Sequence, residues 1–379
     1  MQLVAYGAQD IYLTGNPQIT FFKVVYRRHT NFSMEAIEQT FNGSADFGKR
    51  VTCTVSRNGD LMHKVYLQVT VPACAAGYVP NLGQALIKFA EVEIGGQRID
   101  KHYGDWMHIW NELSQETGKK AGYNDMIGAA LGANSAETDL YIPLEFWFCR
   151  NPGLALPLIA LQYHEVKINI EFRALSELTT TAALSLSAAS LYVDYIYLDT
   201  DERRRFAQVS HEYLIEQVQF TGDESVSSVS NKIKLNFNHP CKELVWVVQR
   251  DASVDADPDG GRFDYTDGTE NPVLIAKLQL NGHDRFSERM GRYFNLVQPY
   301  QHHTNVPKTG INVYSFGLKP EEHQPSGTCN MSRIDNATLQ LTLTAATVAG
   351  DADAKVRVYA TNYNVLRIMS GMGGLAYSN

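Results

Sequence analysis

The chain contains two copies of one sequence pattern, and this duplication limits what it can fold into. The first copy opens with Ala36–Gly43 and the second with Leu214–Gly222. Both read Ile-Glu-Gln, a β-branched residue, Phe and then a nearby Gly, with one extra residue in the second copy. Further matches follow in the same order, such as Ile94–Gln97 with Leu280–His283. Their offset stays near roughly 180 residues, whereas solenoid repeats run to about 20–50, so we interpret the chain as a duplicated domain.

Within each copy, short apolar segments recur at the spacing of β-strands. Val65, Leu67 and Val69 alternate with other residues, as expected of a strand with one buried face. The predicted strands of the first copy are Met34–Asn42, Val51–Ser56, Lys64–Val71, Ile87–Ile94, Tyr141–Phe148, Leu154–Leu161, Glu165–Phe172 and Leu191–Leu198. Those of the second copy are Tyr213–Phe220, Lys232–Phe237, Glu243–Val248, Val273–Leu280, Ile311–Leu318, Gly327–Met331, Ala337–Thr344 and Lys355–Tyr359. Two tandem eight-stranded antiparallel units predict an all-β protein made of two jelly rolls.

This pattern divides the chain into five parts. A length of 379 residues fits two domains, since a domain usually takes about 150 residues. We predict an N-terminal arm (1–32), a first jelly roll (33–202), a joint (203–210), a second jelly roll (211–360) and a flexible or docking tail (361–379).

The arm and the joint both carry positive charge. In the arm, Lys23, Arg27, Arg28 and His29 surround Tyr26. The arm either packs on its own domain or reaches a neighbouring subunit or an underlying layer, and the sequence leaves both open. In the joint, Arg203–Arg205 is expected to pair with acids close by in sequence: Asp194, Asp199, Asp201 and Glu202.

Short helical insertions interrupt the loops of the first copy. Asp105 is expected to cap a helix, whose apolar residues follow at helical spacing: Trp106, Ile109, Trp110 and Leu113. A second, weaker helix is predicted at Tyr123–Leu131. Two tryptophans on one helix face usually serve packing. The helix Asp105–Leu113, the arm and the joint Asp199–Arg205 are therefore our candidates for holding domains and subunits together.

Composition describes a packed globular protein with an acidic balance. Hydrophobic residues make up 44% and charged residues 20%, and the net charge is −8. A protein that coats nucleic acid would present a basic face, so no direct nucleic-acid binding is expected. The five cysteines are scattered without C-x-x-C spacing, as in proteins with reduced thiols. No secretory signal or membrane-spanning run is recognised, so we expect a soluble protein synthesised in the cytoplasm.

The sequence contains no recognised catalytic pattern. G-x-S-x-G, H-E-x-x-H, a Walker loop and paired-cysteine zinc spacing are all missing. We therefore assign no catalytic, cofactor-binding or metal residue, and we expect the protein not to be an enzyme. His302 and His303 are neighbours in sequence, so on a strand their rings would face opposite sides and make poor joint metal ligands.

Two acidic features have a simple interpretation. Glu35, Glu38, Glu212 and Glu216 belong to the repeated opening strand and are expected on its solvated side. Asp255–Gly260 matches the first half of a calcium loop, but Thr266 stands where a bidentate Glu is needed. A solvated acidic turn is the preferred interpretation, with a weak cation site as the alternative.

Several long blocks resemble one known family. They are Gln2–Asp10, Leu13–Phe22, Pro152–Val166, Gln324–Asn330, Ser332–Thr338 and Asn362–Gly371. Through them nearly the whole chain resembles, in order, the major capsid proteins of nucleocytoplasmic large DNA viruses, most closely those of chlorella-virus type. The loops 250–271 and 293–310 are shorter than is typical of that family.

The resemblance implies a function in the virus shell. A double jelly roll of this family forms homotrimers, the pseudo-hexagonal capsomers that tile an icosahedral shell over an internal membrane. It implies neighbouring capsomers, minor capsid proteins beneath the shell and membrane-associated proteins as partners. It also implies a late protein that is assembled in the host cytoplasm and located in the virion.

Three other functions remain open from the residues. A minor capsid paralogue would share the same fold. A glycan-binding jelly roll would use exposed loop aromatics, for which Tyr265, Tyr293 and Tyr300 are the candidates. A β-sandwich glycosidase would need a pair of acids in a cleft.

Overall fold

The computed structural model describes residues 5, 7–254, 261–348 and 354–378, and within them the chain forms two β-sandwiches of the same plan. In the first, sheet 1A has the strand order β1-β9-β3-β6, with β7 beside β3, and sheet 1B has the order β2-β8-β4-β5. Neighbouring strands are antiparallel. The strands are β1 Phe32–Gln39, β2 Arg50–Thr54, β3 Leu61–Val71, β4 Ile87–Ile94, β5 Gln97–Tyr103, β6 Thr138–Leu144, β7 Leu156–Pro157, β8 Val166–Phe172 and β9 Ala188–Leu198.

The second sandwich repeats this topology and adds one strand, β19. Sheet 2A has the order β10-β18-β12-β15, with β16 beside β12 and β19 beside β18, and sheet 2B has the order β11-β17-β13-β14. Both copies are therefore double-layered antiparallel jelly rolls, as the duplication predicted. The strands are β10 His211–Val226, β11 Ser230–Leu235, β12 Pro240–Arg250, β13 Val273–Leu280, β14 His283–Met290, β15 Ile311–Ser315, β16 Cys329–Asn330, β17 Ala337–Leu343, β18 Ala354–Met369 and β19 Met372–Leu375.

The sandwiches form because alternating side chains of each sheet meet in a core. In β3, Val65, Leu67 and Val69 point inward and are fully buried, while Tyr66 and Gln68 between them lie on the outer face. In β12 the inward residues of the second core include Leu244 and Trp246. Burying a side chain of this kind stabilises the fold by about 1.5–3 kcal/mol.

The sequence prediction missed the same strand in both copies. β5 and β14 are sheet-edge strands rich in charged residues, so they lack the apolar alternation that marks a half-buried strand. Conversely, two predicted strands are wrong in large part. Leu154–Leu161 is mostly two 3-10 turns flanking the short β7, and Gly327–Met331 contributes only the two residues of β16.

The helical insertions lie between strands of both copies. The α-helices are α1 Ile11–Thr14, α2 Leu82–Leu86, α3 Gly104–Ser114, α4 Thr117–Met126, α5 Trp147–Arg150, α6 Thr200–Gln208 and α7 Gln298–His302. A π-helix, Tyr293–Val297, leads directly into α7. The second predicted helix is displaced, since α4 ends at Met126 rather than Leu131. Asp105 does not cap α3 either: Tyr103 is the N-cap residue, and Asp105 lies inside the first turn.

The predicted joint is a helix rather than a loop of local ion pairs. Asp199 caps α6 by accepting a hydrogen bond from the Glu202 backbone N–H at 3.0 Å. Arg203 reaches back to Asp60 of the first jelly roll, with its Nε 3.0 Å from the carboxylate. Phe206 packs beside Leu61. The expected pairing with acids nearby in sequence is therefore replaced, for Arg203, by a contact distant in sequence.

The predicted tail is mostly part of the second sandwich. The strand expected to end at Tyr359 continues as β18 to Met369, because β10 pairs with it along its length. After a turn at Ser370 and Gly371, β19 pairs back onto β18. Residues 361–369 and 372–375 are thus sheet residues and not a flexible end. Among the described residues, no helix is long and apolar enough to cross a membrane.

Candidate assembly surfaces

A cluster of aromatic and aliphatic side chains joins the two jelly rolls. Trp106 and Trp110 of α3, which belongs to the first jelly roll, are buried against the outer face of sheet 2A in the second. That face presents Val245, Val247 and Tyr359. Trp106 and Tyr359 lie with ring centroids 5.4 Å apart. The prediction that the tryptophans serve packing is confirmed, and their partner is the other domain.

The edge strand of sheet 2A is covered in the same interface. Gln217 of β10 donates a hydrogen bond from its side chain to the Ile99 carbonyl of β5. The Val218 backbone N–H donates to the Asp100 carboxylate at 3.1 Å. The ring of Tyr103 packs edge-on against Phe220. β5 and α3 together therefore cover one side of the second jelly roll.

Glu216, expected on a solvated face, is buried at this boundary. Its carboxylate lies 3.1 Å from the Arg150 guanidinium of the first jelly roll and 3.0 Å from the Lys242 ammonium of the second. Burial raises the pKa of Glu216, but the hydrogen bond from His323 and the charges of Lys242 and Arg150 outweigh it. The pKa therefore lies below its ordinary value. Glu35, Glu38 and Glu212 are exposed, as predicted.

The two neighbouring histidines have different surroundings. His303 is buried between two carboxylates, with Nε2 2.8 Å from Glu243 and Nδ1 2.8 Å from Glu321. Burial would lower the pKa of His303, but these two carboxylates raise it to about 9. His302 ends α7 and its ring contacts the Leu318 carbonyl. His303 is thus a buried cation in an ion-pair cluster. These histidines lie at a helix end and not on the strand assumed from the sequence.

The remaining binding sites considered from the sequence are a calcium loop, a set of glycan-binding tyrosines and a metal site. Asp255–Gly260, the half calcium loop, lies outside the described residues. Tyr265, a candidate for glycan binding, is only 1% exposed and packs in the cluster around Trp106. That part of the glycan-binding prediction is wrong.

Within the described ranges, no group of three or more His, Cys, Asp or Glu could hold a metal ion. The five cysteines are free, and burial raises the pKa of the Cys53 thiol to about 11.

The arm presents apolar side chains that the described part of this chain leaves uncovered. Phe22 is 97% exposed, and most large apolar residues from Ile11 to Tyr26 are also exposed. Residues 7–14 form hydrogen bonds within the arm, such as the one from Gly7 N–H to Asp10. A contiguous apolar surface of this kind usually marks an interaction site. The finding favours the interpretation that the arm reaches another molecule.

Two further surfaces are open. Of the side chains that form them, the sequence marks only Tyr300, as a candidate for glycan binding. On the outer face of sheet 1A, the Tyr66 and Tyr192 rings stack in parallel with centroids 5.2 Å apart, and Tyr141 lies beside them. A cavity of about 730 Å³ separates Tyr66 from α3 and α4. On the second jelly roll, the helical segment after β14 exposes Leu296, Val297 and Tyr300. Aromatic and aliphatic surfaces such as these suit protein–protein contacts.

Family models match both halves of the chain. The model described as "Major capsid protein N-terminus" matches residues 20–199, and that described as "Large eukaryotic DNA virus major capsid protein" matches residues 202–374. A major capsid protein of Pyramimonas orientalis virus is 63% identical across 100% of this chain and 99% of the relative. That of Paramecium bursaria Chlorella virus 1 is 45% identical with the same coverage.

Solved structures show the same architecture. The crystal structure of PBCV-1 VP54, fitted into a reconstruction of the virophage Sputnik, matches with a TM-score of 0.82 and 40% identity. The match covers 95% of this chain and 100% of the other. The Faustovirus major capsid protein matches with a TM-score of 0.79 at 13% identity, over 96% of this chain and 94% of the other. The last likeness is one of fold alone.

Proposed function

Because this chain belongs to the family of large eukaryotic DNA virus major capsid proteins, we propose that it builds the virus shell as a homotrimer. Six jelly rolls from three chains form a pseudo-hexagonal ring, the capsomer, and capsomers tile the icosahedral shell. The functional parts are the arm (1–32), the jelly rolls (33–202 and from 211 onward) and the joint between them. The role is structural, and no residue is assigned to catalysis.

One observation carries the proposal beyond family membership. The two jelly rolls share one topology, yet the described residues cover only one of the two matching outer faces. The outer face of sheet 2A is covered by α3, while the matching face of sheet 1A and the segment after β14 are open. Such heterologous surfaces close into a ring when the rotation between subunits is a simple fraction of a turn. Three chains of two domains each give six similar positions.

The arm supports contacts outside the ring. From Ile11 to Phe32 it carries Lys23, Arg27 and Arg28 and no acidic residue, and its apolar side chains are exposed. We propose that it contacts a layer beneath the shell, formed by minor capsid proteins or proteins of an internal membrane. Synthesis as a late protein and assembly in the host cytoplasm belong to the same proposal. With a net charge of −8, no direct contact with the genome is proposed.

The experiment that tests the trimer is a measurement of mass in solution. Light scattering on a gel-filtration column is expected to give about three times the 42.4 kDa chain, and the mass should not change on tenfold dilution. A protein that stays monomeric at every concentration would contradict the homotrimer. A minor capsid paralogue that needs a different partner would also behave in that way, and mixing with the major capsid protein would separate the two.

A further inference from the structure

We infer that β14 and the helical segment after it, in one copy, pack on the outer face of sheet 1A in the next copy. The inference rests on the proposed trimer and names its contact surfaces. It follows from the duplication, because the chain already contains one example of this contact. The contact between β5 with α3 and the outer face of sheet 2A is the template.

The two helical segments are equivalent, because each begins at a glycine that directly follows the edge strand of its jelly roll. Gly104 follows β5 and lies so close to the Ile87 carbonyl at the start of β4 that a Cβ would be 2.3 Å from that oxygen. Gly291 follows β14, and a Cβ there would be 1.8 Å from the Val273 carbonyl at the start of β13. Any side chain would clash with backbone at both positions. The two glycines therefore mark the same point in the two jelly rolls.

Apolar residues follow the two glycines at the same distances in sequence. Two, five, six and nine residues after Gly104 stand the four apolar residues of α3: Trp106, Ile109, Trp110 and Leu113. At the same distances after Gly291 stand the corresponding residues of the second copy: Tyr293, Leu296, Val297 and Tyr300. In sequence both sets have the spacing of one α-helix face, although the second segment begins as the π-helix Tyr293–Val297.

The two sets differ in burial. The four residues of α3 are buried, and Trp106 is only 1% exposed. In the second copy Leu296 is 39%, Val297 38% and Tyr300 79% exposed. Tyr293 is half-buried against the core of its own jelly roll. The other three positions are thus covered by a jelly roll in one case and face open space in the other. A second copy of the chain supplies the missing jelly roll.

The surface that receives this segment is the outer face of sheet 1A. In sheet 2A the outward residues Val245, Val247 and Tyr359 lie under α3. The matching strands of sheet 1A, which are β3 and β9, present Tyr66 and Tyr192, both half-buried. Stacked tyrosines are flat and largely apolar, with a hydroxyl at the rim, which suits a contact that also forms hydrogen bonds. The adjoining cavity of about 730 Å³ leaves room for the incoming side chains.

Both surfaces carry charges of both signs. Arg285, Arg289 and Arg292 are exposed on β14 and just after it, together with Asp284 and Glu288. On the receiving side Glu38 is exposed and Asp194 half-buried, both on the outer side of sheet 1A beside Tyr192, and Lys64 is exposed on β3. Opposite charges that meet across an interface favour one register.

Cysteine cross-linking tests the contact. The variant with Tyr66→Cys and Tyr300→Cys is treated with a short bismaleimide, and its mass is measured in parallel by light scattering. Covalent dimers and trimers are expected on a denaturing gel, at several times the yield of the control variant with Tyr66→Cys and Val229→Cys. Val229 is exposed beside β11, at the opposite edge of sheet 2B from β14.

The outcomes separate this inference from the trimer itself. A trimeric mass with cross-links above the control supports both. A trimeric mass with no more cross-links than the control overturns the proposed surfaces and leaves the trimer standing. A monomeric mass of the unmodified protein overturns the trimer and the inference with it. As a second variant, Leu296→Glu with Val297→Glu is expected to give a folded monomer by circular dichroism. A stable trimer of that variant would count against the surfaces.

Discussion

Trp106 of the first jelly roll packs on Tyr359 of the second, with 5.4 Å between the centroids of their rings. Both side chains are fully buried, although they come from different domains. The two jelly rolls therefore share a core and are not joined by a flexible linker alone.

Removing Trp106 is expected to weaken this shared core. Trp106→Ala leaves a cavity and should lower the free energy of unfolding by about 3–5 kcal/mol, measured by urea denaturation. The control is Tyr163→Ala, because Tyr163 is 75% exposed and its loss should change stability by less than about 0.5 kcal/mol. Equal effects of the two substitutions would show that the tryptophan contact does not hold the domains together.

Glu216 and Glu212 belong to one strand and make a matched pair. Glu216→Gln should cost about 3 kcal/mol, because it leaves Lys242 buried without its partner. Glu212→Gln should cost less than about 1 kcal/mol, because its pair with Arg367 is exposed on both sides. The native pKa of Glu216 lies below its ordinary value. Its contribution is therefore present above that ordinary value and is lost as the pH falls through the native pKa. Thermal melting of both variants at pH 7 and pH 4 measures the difference, which should shrink at the lower pH.

His303 gives a prediction in the alkaline range. His303→Gln removes the cation between Glu243 and Glu321 and should destabilise the protein by about 3 kcal/mol at pH 7. The native pKa of about 9 lies above the ordinary value. The contribution is therefore complete below pH 6 and is lost as the pH rises through 9. Denaturation at pH 7 and pH 10 should show the gap between wild type and variant closing, whereas a constant gap would argue against a charged His303.

Deleting Met1–Pro17 is expected to leave a folded protein that assembles poorly. The described part of this segment hydrogen-bonds within itself and exposes its apolar residues, so the melting temperature should stay within about 2 °C of wild type. Shell formation, counted by electron microscopy, should fall. A variant in which Gly and Ser replace the same residues controls for length. Normal shells from the truncated chain would show that the segment is dispensable.

The sequence pattern predicted apolar strands correctly. It failed for charged edge strands and for one apolar segment that forms turns. The predicted limits of Ile87–Ile94 and Val273–Leu280 are correct, because both strands are apolar segments that end in a tight turn. β5 and β14 were missed because an edge strand can carry charge on both sides. The Leu154–Leu161 segment is apolar, but its pairing with β3 ends at Pro157, which has no backbone N–H to donate, and the chain continues in a 3-10 turn.

The sequence pattern also could not predict contacts between residues that are distant in the chain. Glu216 and Glu38 occupy equivalent positions in the two copies of the repeat, so the sequence predicts the same exposure for both. The first jelly roll nevertheless covers Glu216 and leaves Glu38 exposed. The helix with Trp106 was correctly predicted as a packing element, but its partner is distant in sequence. The exposed face at Leu296, Val297 and Tyr300 could not be predicted as one surface, because the sequence marks Tyr300 alone and exposure depends on what the fold leaves uncovered.

The tryptophan cluster also affects how a ring could assemble. The joint that it forms lies within one polypeptide, so its local concentration is fixed and dilution cannot separate the two domains. A ring of six separate jelly rolls would need six molecules to meet, and its yield would fall with the sixth power of concentration. With every second joint covalently linked, the same ring needs three. A dilute pool of newly made chains can therefore fill a shell that a pool of single domains could not.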